Sequence, residues 1–227
     1  MVTMEEMCRD LAAAADPRMR KYMQTVITDT RYDLLCVPMK PLRAIAQRAA
    51  KGDWLSLTEG PFESYEAVLC AALAVAYAKE PLCCRLEGLK RMLPHIDSWA
   101  ITDSVFPTLR FAPEEKTLLW DFALECLAGK DEYTVRSGVV ILLRFFAGEA
   151  ERVAGLLCKV RDDRYYVQMA VAWCFAELAV DYYEIVEKVL RTGELPLFIH
   201  NKTIQKMRES YRISAEKKEA ARHLRRK

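Results

Sequence analysis

The chain has 227 residues and a mass of 26.1 kDa, which suits one large domain or two small ones and permits a substantial core. Apolar residues make up 52% of it and charged residues 29%, with only 8 glycines and 9 prolines, which excludes disordered, collagen-like and turn-dense all-β chains. The net charge of +2 is uneven, because residues 201–227 hold ten lysines and arginines against three acids and residues 1–200 sum to −5. A basic end on a mildly acidic body predicts either phosphate contacts or a solvated segment.

Membrane, export and metal functions find no support in the sequence. No apolar run reaches the roughly 18 residues of a bilayer span, and the first residues open with acids rather than an export signal. The eight cysteines form no C-x-x-C pair, and His95, His200 and His223 lie far from any metal-like cysteine spacing. We expect reduced, buried cysteines in a cytosolic protein, no metal, and one inward and one outward thiol for the adjacent Cys83 and Cys84.

The predicted elements, taken along the chain, are helices. Prolines divide the first half into short segments, and in residues 62–79 the apolar positions recur at i, i+3, i+4 and i+7. Residues 135–146 repeat this helical spacing in spite of a β-branched run. Asp162 and Asp163 are predicted to cap a helix that continues through Leu178. Since no strand alternation or hairpin signal occurs, we predict an all-α fold.

A repeat organises these helices. Residues 131–136 (DEYTVR) and 163–168 (DRYYVQ) align at an offset of 32, and an aromatic recurs at Tyr65, Trp99 and Tyr133 with a spacing of 34. This period is typical of stacked helix pairs, although chance aromatics in a helical bundle are the alternative. We predict a curved right-handed solenoid of antiparallel helix pairs of the HEAT-like or ARM-like kind. Residues 1–213 are assigned to this single domain and residues 214–227 to a basic C-terminal tail.

One segment carries candidate chemistry. The chain has no P-loop, dinucleotide-binding, zinc-protease or serine-hydrolase motif, as expected of a binding scaffold. In residues 96–104 (IDSWAITDS), however, Trp99 and Asp103 stand four positions apart, so a helix presents an indole and a carboxylate on one face. Such a carboxylate is costly unless it meets water, a partner or a cationic ligand. The spacing alone is equally compatible with a core tryptophan and a surface acid.

Four segments carry further motifs: VPMKPLRAIA at 37–46, DSWAITD at 97–103, YTVRSGV at 133–139 and YVQMAVAW at 166–173. In this order they resemble the V-P and L-R, W-x-x-x-D, W-x-R-R-x-A-I and F-I-Q-K-A-I-G-W elements of the DNA alkylation repair, or AlkD-like, proteins. The resemblance runs through most of the chain. It puts Trp99, Asp103, Arg136 and Trp173 on the functional positions of that family.

The resemblance implies a HEAT-like DNA glycosylase that excises positively charged N3- or N7-alkylated purines from duplex DNA, on a concave surface without a deep base-flipping pocket. Asp103 would stabilise the oxocarbenium-like sugar, and Trp99 and Trp173 would offer π faces to the cations. Arg136 would hold a phosphate near the lesion. No cofactor and no metal are implied. The expected partner is double-stranded DNA with alkylated purines, bound by a monomer in the cytoplasm that associates with the nucleoid.

Tyr133 replaces a tryptophan of the family pattern, and three of its cations are missing. Val135 and Ala176 stand where it has arginines and Met169 where it has lysine, and each loss should weaken phosphate binding. Two other functions therefore stay open at this point. The first is a non-catalytic protein that binds bent or branched DNA, and the second is a protein-binding solenoid scaffold.

The basic C-terminal segment offers replacements for the missing cations. Residues 201–214 (NKTIQKMRESYRIS) resemble the C-terminal segment of a shorter branch of the same family. Lys202, Lys206 and Arg208 are the candidate contacts to the DNA backbone. The alternative for this segment is a capping helix with a polar outer face.

Overall fold

The computed structural model describes residues 2–227, in which thirteen α-helices and no β-strand occur. The all-α prediction is confirmed. The helices are α1 Met4–Ala13, α2 Arg20–Val26, α3 Met39–Ala49, α4 Tyr65–Tyr77, α5 Leu82–Met92, α6 Trp99–Val105, α7 Lys116–Leu127, α8 Glu132–Phe145, α9 Ala150–Leu157, α10 Tyr165–Asp181, α11 Tyr183–Thr192, α12 Leu197–Glu209 and α13 Ala215–Arg222.

The helical repeat is confirmed by where the helices begin. The even-numbered helices from α4 to α12 start 34, 33, 33 and 32 residues apart, and the odd-numbered helices from α5 to α13 start 34, 34, 33 and 32 residues apart. Each period therefore contains two helices. The recurring aromatics Tyr65, Trp99, Tyr133 and Tyr165 occupy the first or second residue of α4, α6, α8 and α10. The curvature and handedness of the predicted solenoid stay predictions.

The chain forms two compact units, one ending at Phe122 and one from Ala123 to Lys227. In the first, α4 packs against α1, α3, α5 and α6, and all its residues from Tyr65 to Ala76 are buried. In the second, α10 packs against α8, α9, α11 and α12. Both central helices are apolar almost all round, which is the pattern of a helix surrounded by protein. The predicted assignment of residues 1–213 to one domain stays a prediction.

The predicted cap of α10 is wrong. The capping position belongs to Arg164, and Asp162 accepts hydrogen bonds from the backbone N–H (3.0 Å) and Nε (2.9 Å) of that arginine. Asp163 makes no side-chain cap of α10 either. The N–H of Tyr166 donates instead to Glu132 Oε1 of α8 at 2.7 Å. A carboxylate from the preceding repeat thus accepts a backbone N–H at the start of α10. This is the role that the local sequence predicted for Asp162 and Asp163.

A second glutamate organises the segment before α3. Glu66, in the first turn of α4, is fully buried and accepts the backbone N–H groups of Leu35 (2.9 Å), Cys36 (2.7 Å) and Val37 (3.3 Å). Cys36 has a φ of 66°, a left-handed conformation that costs a non-glycine residue roughly 1–2 kcal/mol. The three hydrogen bonds to one carboxylate offset that cost. In the same way, Glu115 accepts the N–H of Leu82 at 2.7 Å, from 33 residues away.

The prediction for the paired cysteines is wrong as well. Cys83 and Cys84 are both exposed, because Leu82 and Arg85 take the buried positions in the first turn of α5. Burial holds for most of the other thiols: Cys36, Cys70, Cys126, Cys158 and Cys174 are buried. Burial raises the pKa of Cys70 to about 12, which keeps this thiol protonated at neutral pH.

The C-terminal residues lie against α12. Helix α13 packs on α12, and the carbonyl of Leu224 accepts a hydrogen bond from His200 Nε2 at 2.8 Å. Asn201 and the backbone of Arg226 exchange two hydrogen bonds of 2.9 and 3.0 Å. Residues 214–227 were predicted to be a basic tail. In the structure they include α13, and the backbone of Leu224 and Arg226 is hydrogen-bonded to α12.

The imidazole of His200 makes this contact sensitive to pH. A carbonyl only accepts, so Nε2 carries the proton, and the buried Nδ1 has no hydrogen-bond partner among residues 2–227. Burial lowers the pKa of His200, the bond to Leu224 raises it less, and Arg226 adds to the lowering.

We expect the free energy of unfolding to fall as the pH drops below about 6.5, the ordinary histidine pKa, because the unfolded chain then binds protons that folded His200 resists. His95, whose pKa is lowered by burial and by Arg31, acts in the same direction. Urea unfolding of the protein and of His200→Gln, which keeps a donor without titrating, measures the share of His200. An identical pH dependence in the two proteins would contradict this role.

Candidate functional site

The predicted indole and carboxylate lie on α6. Trp99 is the first residue of this helix and Asp103 lies one turn later, and both side chains are partly exposed. The helix begins after Ser98, whose Oγ accepts the N–H of Ala100 at 3.3 Å. Neither residue belongs to the fully buried core. Part of each side chain is therefore accessible to solvent.

The orientation of Trp99 is set by the end of α2. Its indole Nε1 donates to the backbone carbonyl of Val26 at 3.2 Å. Next to it, Asp97 accepts the N–H of Arg31 at 2.7 Å and the hydroxyl of Thr30 at 3.0 Å. The residues just before and at the start of α6 therefore hold residues 26–31 in place.

Asp103 lies beside a hydroxyl group and lines a cavity that several cations also line. The Oγ1 of the buried Thr102 lies 3.0 Å from Asp103 Oδ1 and 2.8 Å from the carbonyl oxygen of Trp99, and its single proton can serve one of them at a time. Asp103 also lines a cavity of about 540 Å³ in the first unit. The other charged residues of its lining are all cationic, namely Arg43, Lys79, Arg85 and Arg110.

Two of these arginines are held in place by hydrogen bonds. Arg43 Nη1 donates to the hydroxyl of Tyr77 at 2.7 Å and to Thr108 Oγ1 at 3.2 Å. The buried Arg85 donates to the backbone carbonyls of Glu80 (2.9 Å) and Arg110 (2.6 Å). Burial lowers the pKa of Arg85, but a guanidinium starts so high that it stays charged at neutral pH. The cavity is thus lined by positioned positive charge around one carboxylate.

No sequence motif predicts a role for these four cations. Only Arg43 lies in a motif quoted above, VPMKPLRAIA, and no role was given to it there. Lys79, Arg85 and Arg110 belong to no motif, and they approach Asp103 only through the packing of α4, α5 and α6.

Arg136 and Trp173, the other two residues that the motifs predict, lie in the second unit. Arg136, on α8, is only 5% exposed, and its Nη1 donates to the carbonyl oxygen of Tyr166 at 2.7 Å. Trp173 lies in the middle of α10 and is partly exposed. Within this unit the structure gives Arg136 a contact that links α8 to α10 and leaves part of the Trp173 indole accessible.

The basic residues of α12 divide into two groups. Lys202 and Arg208 line a second cavity, of about 530 Å³, together with Arg225, which the sequence analysis did not single out. Lys206 lies on α12 but not in that lining. For Arg225 the sequence signal is the positive charge of residues 201–227. That charge does not distinguish Arg225 from the other cations of the segment.

The sequence as a whole matches a known family. A sequence model described as DNA alkylation repair enzyme matches residues 7–217, which include every predicted site residue. The chain belongs to this family. The resemblance inferred from the motifs is thereby confirmed, and membership supports a role in DNA repair and binding to DNA. A comparison with curated proteins gives no significant match.

Two general properties of this DNA alkylation repair family member bear on its partners. Across residues 2–227, no helix has both the length and the apolar character that a bilayer crossing requires. The same part of the chain contains no group of three or more His, Cys, Asp or Glu residues placed to hold a metal ion.

Proposed function

We propose that this protein is a DNA glycosylase that releases positively charged N3- or N7-alkylated purines from duplex DNA. The observation that carries the proposal is the position of Asp103, a partly exposed carboxylate in a cavity whose other charged residues are cationic. Membership of the DNA alkylation repair enzyme family supports the DNA repair part of this proposal, and the matched region includes Trp99, Asp103, Arg136 and Trp173.

The charges of the cavity favour a lesion in DNA over a free base. Arg43, Lys79, Arg85 and Arg110 attract phosphates, and a cationic purine on its own would be repelled by them. Once phosphates of the backbone balance these cations, the carboxylate of Asp103 can act on positive charge that develops at the sugar. The substrate is therefore the alkylated nucleotide within a strand.

The chemistry requires little from the protein. When the bond between C1′ and the purine nitrogen breaks, its electron pair goes to the base, so that the cationic ring leaves neutral. The sugar gains positive charge, and Asp103 stabilises that charge more in the transition state than in the ground state. Water then adds at C1′ and loses a proton to solvent. The products are the free base and an abasic site. Thr102 orients the carboxylate when its hydroxyl donates to Asp103 Oδ1 and not to the carbonyl oxygen of Trp99.

The remaining residues bind rather than react. Trp99 and Trp173 are proposed to offer π faces to the cationic lesion and sugar, worth about 0.5–2 kcal/mol each. Arg136 can hold a phosphate only by leaving its buried contact with Tyr166. In addition to the cations that line the cavity of Asp103, we therefore assign backbone contacts to the three cations of α12, Lys202, Lys206 and Arg208.

The direct test is base release from duplex DNA that contains N7-methylguanine. We expect chromatography to detect free 7-methylguanine above the spontaneous rate, with none from an unmodified duplex and little enzymatic release from the free nucleoside 7-methyl-2′-deoxyguanosine. Folded protein at high concentration that leaves the spontaneous rate unchanged would contradict the proposed function.

A second candidate, a non-catalytic protein that binds branched DNA, is favoured by one observation. Arg136 is turned into the protein, and Val135 and Met169 replace cations of the family pattern, so phosphate contacts near the lesion are fewer. Binding to a branched duplex that survives Asp103→Asn, together with absent base release, would establish this candidate instead.

A further inference from the structure

A row of aromatic rings crosses the starts of α8, α10 and α12 in the second unit. The ring centroids of Tyr133 and Tyr166 are 5.6 Å apart, those of Tyr166 and Tyr165 are 5.1 Å apart, and those of Tyr165 and Phe198 are 6.0 Å apart. Tyr133 is 8% exposed, whereas Tyr165 and Phe198, at the other end of the row, are 53% and 38% exposed. The two outer rings are thus accessible to solvent, and Tyr165 lies against the inner ring of Tyr166.

Cations surround the exposed end of this row. Phe198 lines the second cavity together with Lys202, Arg208 and Arg225, and every charged residue of that lining is cationic. Lys202 Nζ lies 5.6 Å from the centroid of the Phe198 ring and 2.9 Å from Gln205 Oε1. The ammonium is therefore held next to the aromatic face and does not point away from it.

Exposed apolar residues are ordinary when they are scattered, but these are contiguous. Leu197, 45% exposed, adjoins Phe198 in the same lining, and Tyr165 touches Phe198 from α10. Two exposed aromatic rings, whose planes are inclined by 64° to each other, and the three cations beside them match the two parts of a nucleotide, the base face and the phosphate.

The aromatic rings distinguish duplex DNA from unpaired nucleotides, because only bases with a free face can stack on them. In a duplex both faces of an internal base are covered by its neighbours, so a duplex can use the cations but not the rings. Unpaired bases have free faces that stack on aromatic side chains with little dependence on sequence. We propose that this surface, formed by Tyr165, Phe198, Lys202, Arg208 and Arg225, binds unpaired nucleotides of single-stranded DNA.

In this complex, bases stack on Phe198 and Tyr165 while Lys202, Arg208 and Arg225 pair with the phosphates. The inference rests on the DNA-binding part of the proposed function and is independent of base excision. It gives the protein a way to hold a strand that is frayed, gapped or displaced, in addition to duplex with a lesion.

The test is fluorescence anisotropy of the full-length protein with a labelled oligothymidylate, compared with an undamaged duplex of the same length. Phe198→Ala is expected to weaken single-strand binding about tenfold and to change duplex binding little. Phe198→Leu keeps an apolar side chain without a π face, so it should lose single-strand binding while thermal unfolding stays near that of the parent. The matched control is Tyr211→Ala, which removes a fully exposed tyrosine from the same unit and should change neither affinity.

Salt dependence tests the cationic part. Arg225→Gln should make the slope of log affinity against log salt shallower by about 0.7, the value for one phosphate contact on a single strand. Arg191→Gln, an exposed arginine of α11 that pairs with Glu187, should leave the slope unchanged.

Three results would overturn the inference: no binding of oligothymidylate by the folded protein, equal losses on single strand and duplex in Phe198→Leu, or a salt slope unaffected by Arg225→Gln. None of these measurements uses a lesion. A protein that fails to release 7-methylguanine but binds oligothymidylate in this way would contradict the glycosylase function alone.

Discussion

Asp103→Asn is expected to lower the rate of 7-methylguanine release by about 100-fold, or about 2.7 kcal/mol in activation free energy, while affinity for duplex DNA stays nearly unchanged. The substitution removes the negative charge and keeps the shape of the side chain. If Asp103 acts only as the glycosidic bond breaks, the loss belongs to the transition state and not to binding. Single-turnover release and equilibrium binding, measured on the same lesion duplex, separate the two effects.

The matched control for this substitution is Asp121→Asn, an exposed acid of α7 in the same unit that does not line the cavity of Asp103. Its release rate should equal that of the parent protein. Full release by Asp103→Asn would mean that the carboxylate plays no part in catalysis, and the assignment of the site to α6 would be wrong.

Glu66→Ala is expected to lower the free energy of unfolding by about 3 kcal/mol or more. It leaves the backbone N–H groups of Leu35, Cys36 and Val37 without their acceptor, and each buried unpaired group costs about 1–3 kcal/mol. The left-handed conformation of Cys36 would also lose the hydrogen bond that holds it.

Denaturant unfolding with a common slope measures this loss. Glu63→Ala removes an exposed glutamate only three residues earlier and should change the free energy of unfolding by less than about 0.5 kcal/mol. Equal stability of Glu66→Ala and Glu63→Ala would show that water replaces the carboxylate and that residues 35–37 do not depend on it.

Sequence reasoning succeeded where the signal is local and periodic. The helical spacing in residues 62–79 predicted α4, and the recurring aromatics predicted where alternate helices begin, because each signal lies within one helix or repeats at a fixed interval. The cap of α10 could not be found in this way. Glu132, one repeat away, satisfies the N–H of Tyr166, and Asp162 is engaged by its neighbour Arg164.

The residues of the candidate site also fall into two groups, those that a local motif predicts and those that only the tertiary packing brings together. The motifs placed Trp99 and Asp103 on a single helix, because residues four apart share a helix face whatever surrounds them. The cations that line the cavity of Asp103 come from positions between Arg43 and Arg110, and no spacing rule connects residues so far apart in sequence. The burial of Arg136 was missed for a related reason, since a motif gives the residue type but not the direction of its side chain.

The glutamates that accept backbone N–H groups from about one repeat away affect how the molecule opens. Glu66, Glu115 and Glu132 bind amides 29 to 34 residues distant, so the amide of one repeat is protected only while its neighbour is folded. In an array held together by apolar contacts alone, terminal repeats can fray almost independently. Here the opening of the segment that holds Glu66, Glu115 or Glu132 also frees an amide about one repeat away, so in amide hydrogen exchange each of these amides should become exposed together with the segment of its glutamate.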